Sequence, residues 1–275
     1  MQKHLTFFIA LFISLSSMAQ VNLDSLWNIW NDKTQPDTCR LRAMHRIAWD
    51  GYLFSKPDSA FYFAQQEYDF AESVNNKKWM AKSLNTQGVS FFLRSDLAKT
   101  LAYYTRSLKI WEELGDKKAI AVSLNNIGLI YRDEGDYTKA IDYQTRSLKI
   151  QEELGNKEGI AFSLLAIGLI YSDQGNYSKA MEYYSKSLKI YEEIGDKKSI
   201  AVPLQTIGFI YKEQGDYDKA IDYHTKSLKI YEELGNKIGI VSSLNSIGII
   251  YENQGDNVKA MEYYFKSLKI AKEVG

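Results

Sequence analysis

From about residue 81 onward, apolar side chains recur at intervals of three and four. Leu124, Ile127, Ile130 and Tyr131 fall on one stripe, and Tyr137, Ala140, Ile141, Leu148 and Ile150 on the next. This is the spacing of helices that bury one face; strands would alternate, and no stretch here does. The stripes are broken at Gly135-Asp136, Gly155-Asn156, Gly175-Asn176, Gly195-Asp196, Gly215-Asp216 and Gly235-Asn236. Glycine accepts the left-handed conformation that closes a helix, and the Asp or Asn after it caps the next one. About 18 residues lie between successive breaks, enough for a helix of roughly 27 Å. The pattern predicts an all-α chain of paired helices.

The pairs copy one another. Lys117 to Asn156 and Lys197 to Asn236 align without a gap and agree at 28 of 40 positions, which marks a repeat array. The register runs forward to the C-terminus and backward into a degenerate first copy, where Ala60 falls in line with Ala140, Ala180, Ala220 and Ala260. The reading gives residues 20–40 as an N-terminal helix, around Leu23 to Trp30, with its linker. An array over 41–275 follows, in copies of about 41–80, 81–116, 117–156, 157–196, 197–236 and 237–275. Gly128, Gly168, Gly208 and Gly248 sit inside the first helix of their copies. Mid-helix glycine costs about 1 kcal/mol against alanine, so a close contact is expected there. The aligned alanines of the second helix are the expected partners, with Tyr131, Tyr171, Tyr211 and Tyr251 filling the space between hairpins.

Leu124, Ile127-Gly128, Tyr131, Gly135-Asp136-Tyr137, Ala140, Tyr143 and Ser147-Leu148 together resemble the tetratricopeptide pattern of large residue, Leu-Gly, Tyr, Ala, aromatic, Ala. The copies depart from it in being longer than 34 residues, in lacking the closing proline, and in carrying Ser107, Ser147, Ser187, Ser227 and Ser267 where the family has alanine. They are most similar to the long-repeat branch found in kinesin light chains and spindle-orientation adaptors. The resemblance implies an α-solenoid, a right-handed superhelix of six helical hairpins, in which the first helices line a concave groove. Carried over position by position, the groove residues are Asn125, Leu129 and Arg132, then Leu165, Leu169 and Ser172, then Gln205, Phe209 and Lys212, then Asn245, Ile249 and Glu252. The frame is constant while these vary, above all Arg132, Ser172, Lys212 and Glu252. An apolar floor with amide and mixed-charge rims suits an extended peptide or a helix of a partner protein; position on the stripe alone leaves Leu129, Leu169, Phe209 and Ile249 equally open to a core role. The expected function is a protein–protein interaction scaffold. The alternative is the sensory input region of a longer signalling protein, because exported arrays of this kind resemble those preceding cyclase, histidine kinase or DNA-binding outputs.

Composition narrows the classes. With 34 Lys+Arg against 34 Asp+Glu the chain carries no net charge, which argues against nucleic acid and against docking on anionic lipid. The start is different in kind: Lys3 and His4, an apolar run from Leu5 to Leu15, then Ser17-Met18-Ala19. That order reads as a secretory signal over residues 1–19, cut after Ala19, with no direct membrane binding afterwards. The chain is therefore expected to be exported, whether periplasmic, secreted or at the cell surface. Cys39 is the single cysteine, so no internal disulfide can form. His45 and His224 stand alone, without the spacing of a metal pair. No nucleophile–base constellation and no phosphate-cradling loop is present, so no enzyme, metal or cofactor is expected. Lys149 and its copies have Glu residues one turn on, which predicts solvated pairs along the helix. The last helix, with Met261, Tyr264 and Leu268, has no successor in the register. That leaves it open to self-association, or to continuation of the chain.

Overall fold

The computed structural model describes residues 22–273. The expected signal segment, residues 1–19, lies outside them. The described residues form two compact units, one ending at Gly115 and the other beginning at Asp116, and they hold α-helices, one π-helical turn and no strand.

Unit 1 starts with α1 (Leu23–Asn31) and α2 (Asp37–Arg46), which runs on into a π turn (Ile47–Tyr52). Then come α3 (Pro57–Ser73), α4 (Lys77–Leu93) and α5 (Leu97–Leu114). Its first core joins Leu26, Ala43, Met44 and Ile47, with Trp27, Trp30 and Phe63 packed around them. Gly51 lets α1 come close: a Cβ there would stand 2.7 Å from the Leu23 side chain. A second core joins Leu41, Ala71 and Trp79 across α2, α3 and α4.

Unit 2 consists of four hairpins: α6 (Lys117–Asp133) with α7 (Tyr137–Glu153), α8 (Lys157–Asp173) with α9 (Tyr177–Ile194), α10 (Lys197–Glu213) with α11 (Tyr217–Glu233), and α12 (Lys237–Asn253) with α13 (Asn257–Lys272). The punctuation works as the sequence suggests. Gly135 has φ +81°, the Asp136 amide donates to the Tyr131 carbonyl at 2.9 Å, and the Asp136 carboxylate accepts from the Lys139 amide. In unit 1 the first two left-handed positions fall to Asn75 and Ser95, residues that tolerate that conformation less readily than glycine, and only the last is a glycine, Gly115.

Each hairpin is fastened by a repeated set of contacts. Ser147, Ser187 and Ser227 donate to the carbonyls of Ala121, Ala161 and Ala201 at 2.8–3.0 Å. These serines take the place of the family's alanine and satisfy a buried hydroxyl within the hairpin. The mid-helix glycines do not face the aligned alanines. A Cβ at Gly168 would stand 2.6 Å from the Tyr184 ring, and the same place is filled by Gln144 over Gly128, His224 over Gly208 and Tyr264 over Gly248. The alanines are buried one turn earlier. The tyrosines stack inside their own hairpins. Tyr131 stacks on Tyr143, and Tyr171 on Tyr183, with ring centroids 5.4 and 5.6 Å apart inside one hairpin. The Lys–Glu pairs also differ from expectation: Glu153 pairs with Lys117, Glu193 with Lys157 and Glu233 with Lys197, at 2.8–3.1 Å. These join the start of a copy to its end rather than neighbouring turns of one helix. At the solvent face each is worth little alone.

Candidate partner-binding groove

The twelve candidate residues lie on one face of α6, α8, α10 and α12, at helical spacings of four and three. Their exposure rises along the unit. On α6, Asn125, Leu129 and Arg132 are all buried; on α8, Leu165 and Leu169 are buried and Ser172 is half-buried. On α10, Gln205 is buried and Lys212 half-buried, while Phe209 is 38% exposed. On α12, Asn245 is half-buried, Ile249 is 42% exposed and Glu252 is exposed.

The buried members do structural work. The Asn125 backbone carbonyl accepts from Gln144 Nε2 at 2.9 Å, tying α6 to α7. Arg132 on α6 pairs with Asp173 on α8, joining consecutive hairpins. Beside them, Ser172 hydrogen-bonds the Tyr184 hydroxyl, whose pKa burial drives upward. Gln205 donates to Ser243 Oγ at 3.0 Å and so links α10 to α12.

The open members present a different surface. The Lys212 ammonium stands 4.8 Å from the centre of the Phe209 ring and pairs with Glu213. Glu252 accepts from the Tyr264 hydroxyl at 2.6 Å, and the Tyr264 pKa is pushed up to about 12 by burial and by that carboxylate. The surface here is thus an aromatic and an aliphatic side chain flanked by one cation, one amide and one anion. It can take apolar side chains and orient a polar backbone, and it holds no nucleophile, base or metal-ligand set. Among the described residues no group of three metal-capable side chains converges. No helix of the described residues is long and apolar enough to cross a membrane.

The sequence reading passed over the turn before each candidate set. Val122 is 43% exposed there, one helical turn ahead of Asn125, and the same three-and-four spacing would have found it. His45 is solitary in the sequence but not in space. In the structure His45 Nδ1 hydrogen-bonds Glu67 at 3.2 Å, a partner 22 residues away that no local spacing reveals.

Comparison with known proteins agrees with the helical-hairpin fold. The tetratricopeptide repeat profile matches residues 79–153, 119–193 and 199–273. The chain belongs to the tetratricopeptide repeat family, and that membership supports a protein–protein interaction scaffold. No curated protein sequence matches it. Among solved structures, the apo form of RapI superposes with a TM-score of 0.72 at 15% identity, covering 98% of each chain. A Rap protein in complex with competence and sporulation factor gives 0.68 at 14%, over 91% of this chain and 79% of that one. A signal transduction ATPase with a tetratricopeptide repeat sensor, from Pyrococcus horikoshii, gives 0.73 at 15%, over 92% of this chain and 40% of that one. At such identities the likeness is one of fold.

Proposed function

We propose that the chain binds an extended peptide or a helix of a protein partner along the first helices of unit 2. The observation that carries this reading is the contrast between a frame that repeats and an open face that does not. The fastening serines, glycines and aromatic stacks recur copy after copy. Phe209, Lys212, Ile249 and Glu252 differ from their counterparts and, with Asn245, reach the surface. Asn125, Leu129, Arg132, Leu165, Leu169 and Gln205 form the floor and back wall of the proposed groove, with Ser172 at its edge. Large apolar side chains left open between polar neighbours are typical of recognition surfaces.

Peptides selected from a random display library on immobilised residues 20–275 give the probe. Measured by fluorescence anisotropy, the selected peptides should bind Ile249→Asp at least about tenfold more weakly, the loss expected when a central apolar anchor is removed. Undiminished binding by a variant of unchanged helicity refutes the site.

The proposal includes export, with the mature chain starting at Gln20. A second reading, the sensory input region of a longer signalling protein, draws support from the fold it shares with the sensor-bearing ATPase. The coding sequence downstream of Gly275 distinguishes the two: an in-frame span and output domain favours the sensor.

A further inference from the structure

Unit 1 departs from the repeat at a cluster of neighbouring positions. Glu67 stands where the later copies have Ser107, Ser147, Ser187, Ser227 and Ser267. Trp79 stands where they have Ala119, Gly159, Ser199 and Gly239, and Lys82 where they have Val122, Phe162, Val202 and Ser242. These departures meet in space. The Lys82 ammonium lies 4.3 Å from the centre of the Trp79 ring, and His45 packs edge-on to the same ring at 5.6 Å. Leu41 is buried against Trp79, which brings their exposed sequence neighbours Arg42 and Lys78 to the two sides of that contact. Among the described residues, Arg42, Lys78 and Lys82 have no carboxylate within ion-pair distance, whereas the neighbouring Arg46 and Lys77 are paired.

Beneath this surface the Glu67 side chain is fully buried. His45 Nδ1 lies 3.2 Å from each of its oxygens, and Oε1 has no hydrogen bond of its own. Burial pushes the Glu67 carboxyl up, with His45 and Ser83 drawing it back. A buried carboxylate with an unmade hydrogen bond is a cost to folding, and such costs gather at functional sites. Its effect here is to hold the partly exposed His45 ring in place beside the cations, stacked on Trp49.

We infer that Arg42, Lys78 and Lys82, arranged around Trp79 and backed by the His45–Glu67 pair, form a docking site for an acidic peptide segment of a partner protein. Charge complementarity selects the occupant. Three cations without an ion-pair partner, Arg42 and Lys78 exposed and Lys82 half-buried, favour carboxylates, and an arginine fork matches a carboxylate's two oxygens. The half-buried His45 and Trp49 rings, stacked beside them, take the apolar part of the peptide. The chain's overall neutrality favours a few carboxylates over a nucleic-acid backbone. Repulsion within the cluster is visible in Lys82, whose pKa is lowered by burial first and then by Lys78 and Arg42, with Glu67 drawing it partly back up. The site belongs to unit 1 alone and stands whether or not unit 2 binds its own peptide.

The probes are a fluorescein-labelled peptide of Glu, Ala and Tyr, its Lys, Ala and Tyr counterpart, and inorganic phosphate, each titrated against residues 20–275. The acidic peptide should bind and weaken severalfold between about 50 and 300 mM salt, as partly exposed charge pairs do. The double variant Arg42→Glu, Lys78→Glu changes two exposed side chains and keeps the fold, as circular dichroism will verify. It should lose acidic-peptide affinity by about tenfold or more. Lys82→Met, which keeps the cover over Trp79, should lose a smaller factor. Equal binding of the basic peptide overturns the inference, as does acidic-peptide affinity unchanged in the double variant. Competition by inorganic phosphate alone overturns the choice of carboxylate. Binding lost in Ile249→Asp yet kept in the double variant places the acidic peptide in unit 2, leaving that site's reading intact and refuting this one.

Discussion

His224 lies against Gly208 at the centre of the third hairpin of unit 2, only 4% exposed, with Nδ1 buried and without a hydrogen bond. Its pKa is lowered from 6.5 to about 4, chiefly by burial and secondarily by Lys212. The folded state therefore refuses a proton that the unfolded chain accepts. Above pH 6.5 the ring is neutral in both states and no penalty exists. As pH falls from 6.5 towards 4 the unfolded state gains a proton alone, so stability falls; below 4 both states are protonated and the loss levels off. At 1.36 kcal/mol per pH unit the full loss is about 3 kcal/mol, and at pH 5 it is about 2 kcal/mol. The repeat supplies the control, because Tyr184 and Tyr264 hold the same position over Gly168 and Gly248. His224→Tyr should fold, and it should be less sensitive to acid by that amount. The assay is urea denaturation of both proteins at pH 7.5, 6, 5 and 4, taking the difference between them so that carboxylates common to both cancel. Parallel pH profiles would refute the reasoning.

Gly168→Leu should destabilise by about 3 kcal/mol or more, since even a Cβ there meets the Tyr184 ring at 2.6 Å. Gly175→Asn, at a turn with φ +73° and nothing within 4 Å, should cost under about 1 kcal/mol; equal thermal midpoints would contradict both. Pro203→Ser should raise the thermal midpoint, because Pro203 sits inside α10 where the other copies have Ser123, Ser163 and Ser243. The restored amide donor is worth about 1–3 kcal/mol, and a lowered midpoint would show that α10 depends on the break. N-terminal sequencing of the product expressed in a bacterium should begin at Gln20; a membrane-bound product that retains Met1 would overturn export.

The helices and their ends were legible because their causes are local. A left-handed glycine and a capping Asp act within a few residues, and the repeat writes them again in each copy. The contacts between helices were less so. Spacing put Gly168 and Ala180 on facing stripes, but which residue lies across the glycine depends on how far one helix slides along the other, and the answer was Tyr184. The same slide carries Lys117 to Glu153, past the nearer Lys149. For the proposed groove, helical spacing put the residues on one face of α6, α8, α10 and α12 but did not give their depth. Leu129 and Ile249 hold equivalent places, yet one is 8% and the other 42% exposed. Glu67 and His45 were missed because their pairing crosses from α2 to α3, and because each looks unremarkable among its own neighbours.

The serine-to-carbonyl bonds and the Lys–Glu pairs share a property that bears on how such a chain lengthens. Each closes inside a single copy, so removing residues 157–196 would sever none of those belonging to the copies on either side. Among the polar ties that cross from copy to copy, such an excision would break Arg132 with Asp173 and Ser147 with Ser163, and Glu213 would arrive in the place of Asp173 as the aligned acid. The stretch behaves as a cassette. An unequal exchange between two of these near-identical gene segments would yield a protein one hairpin shorter or longer, with its internal fastenings already in order.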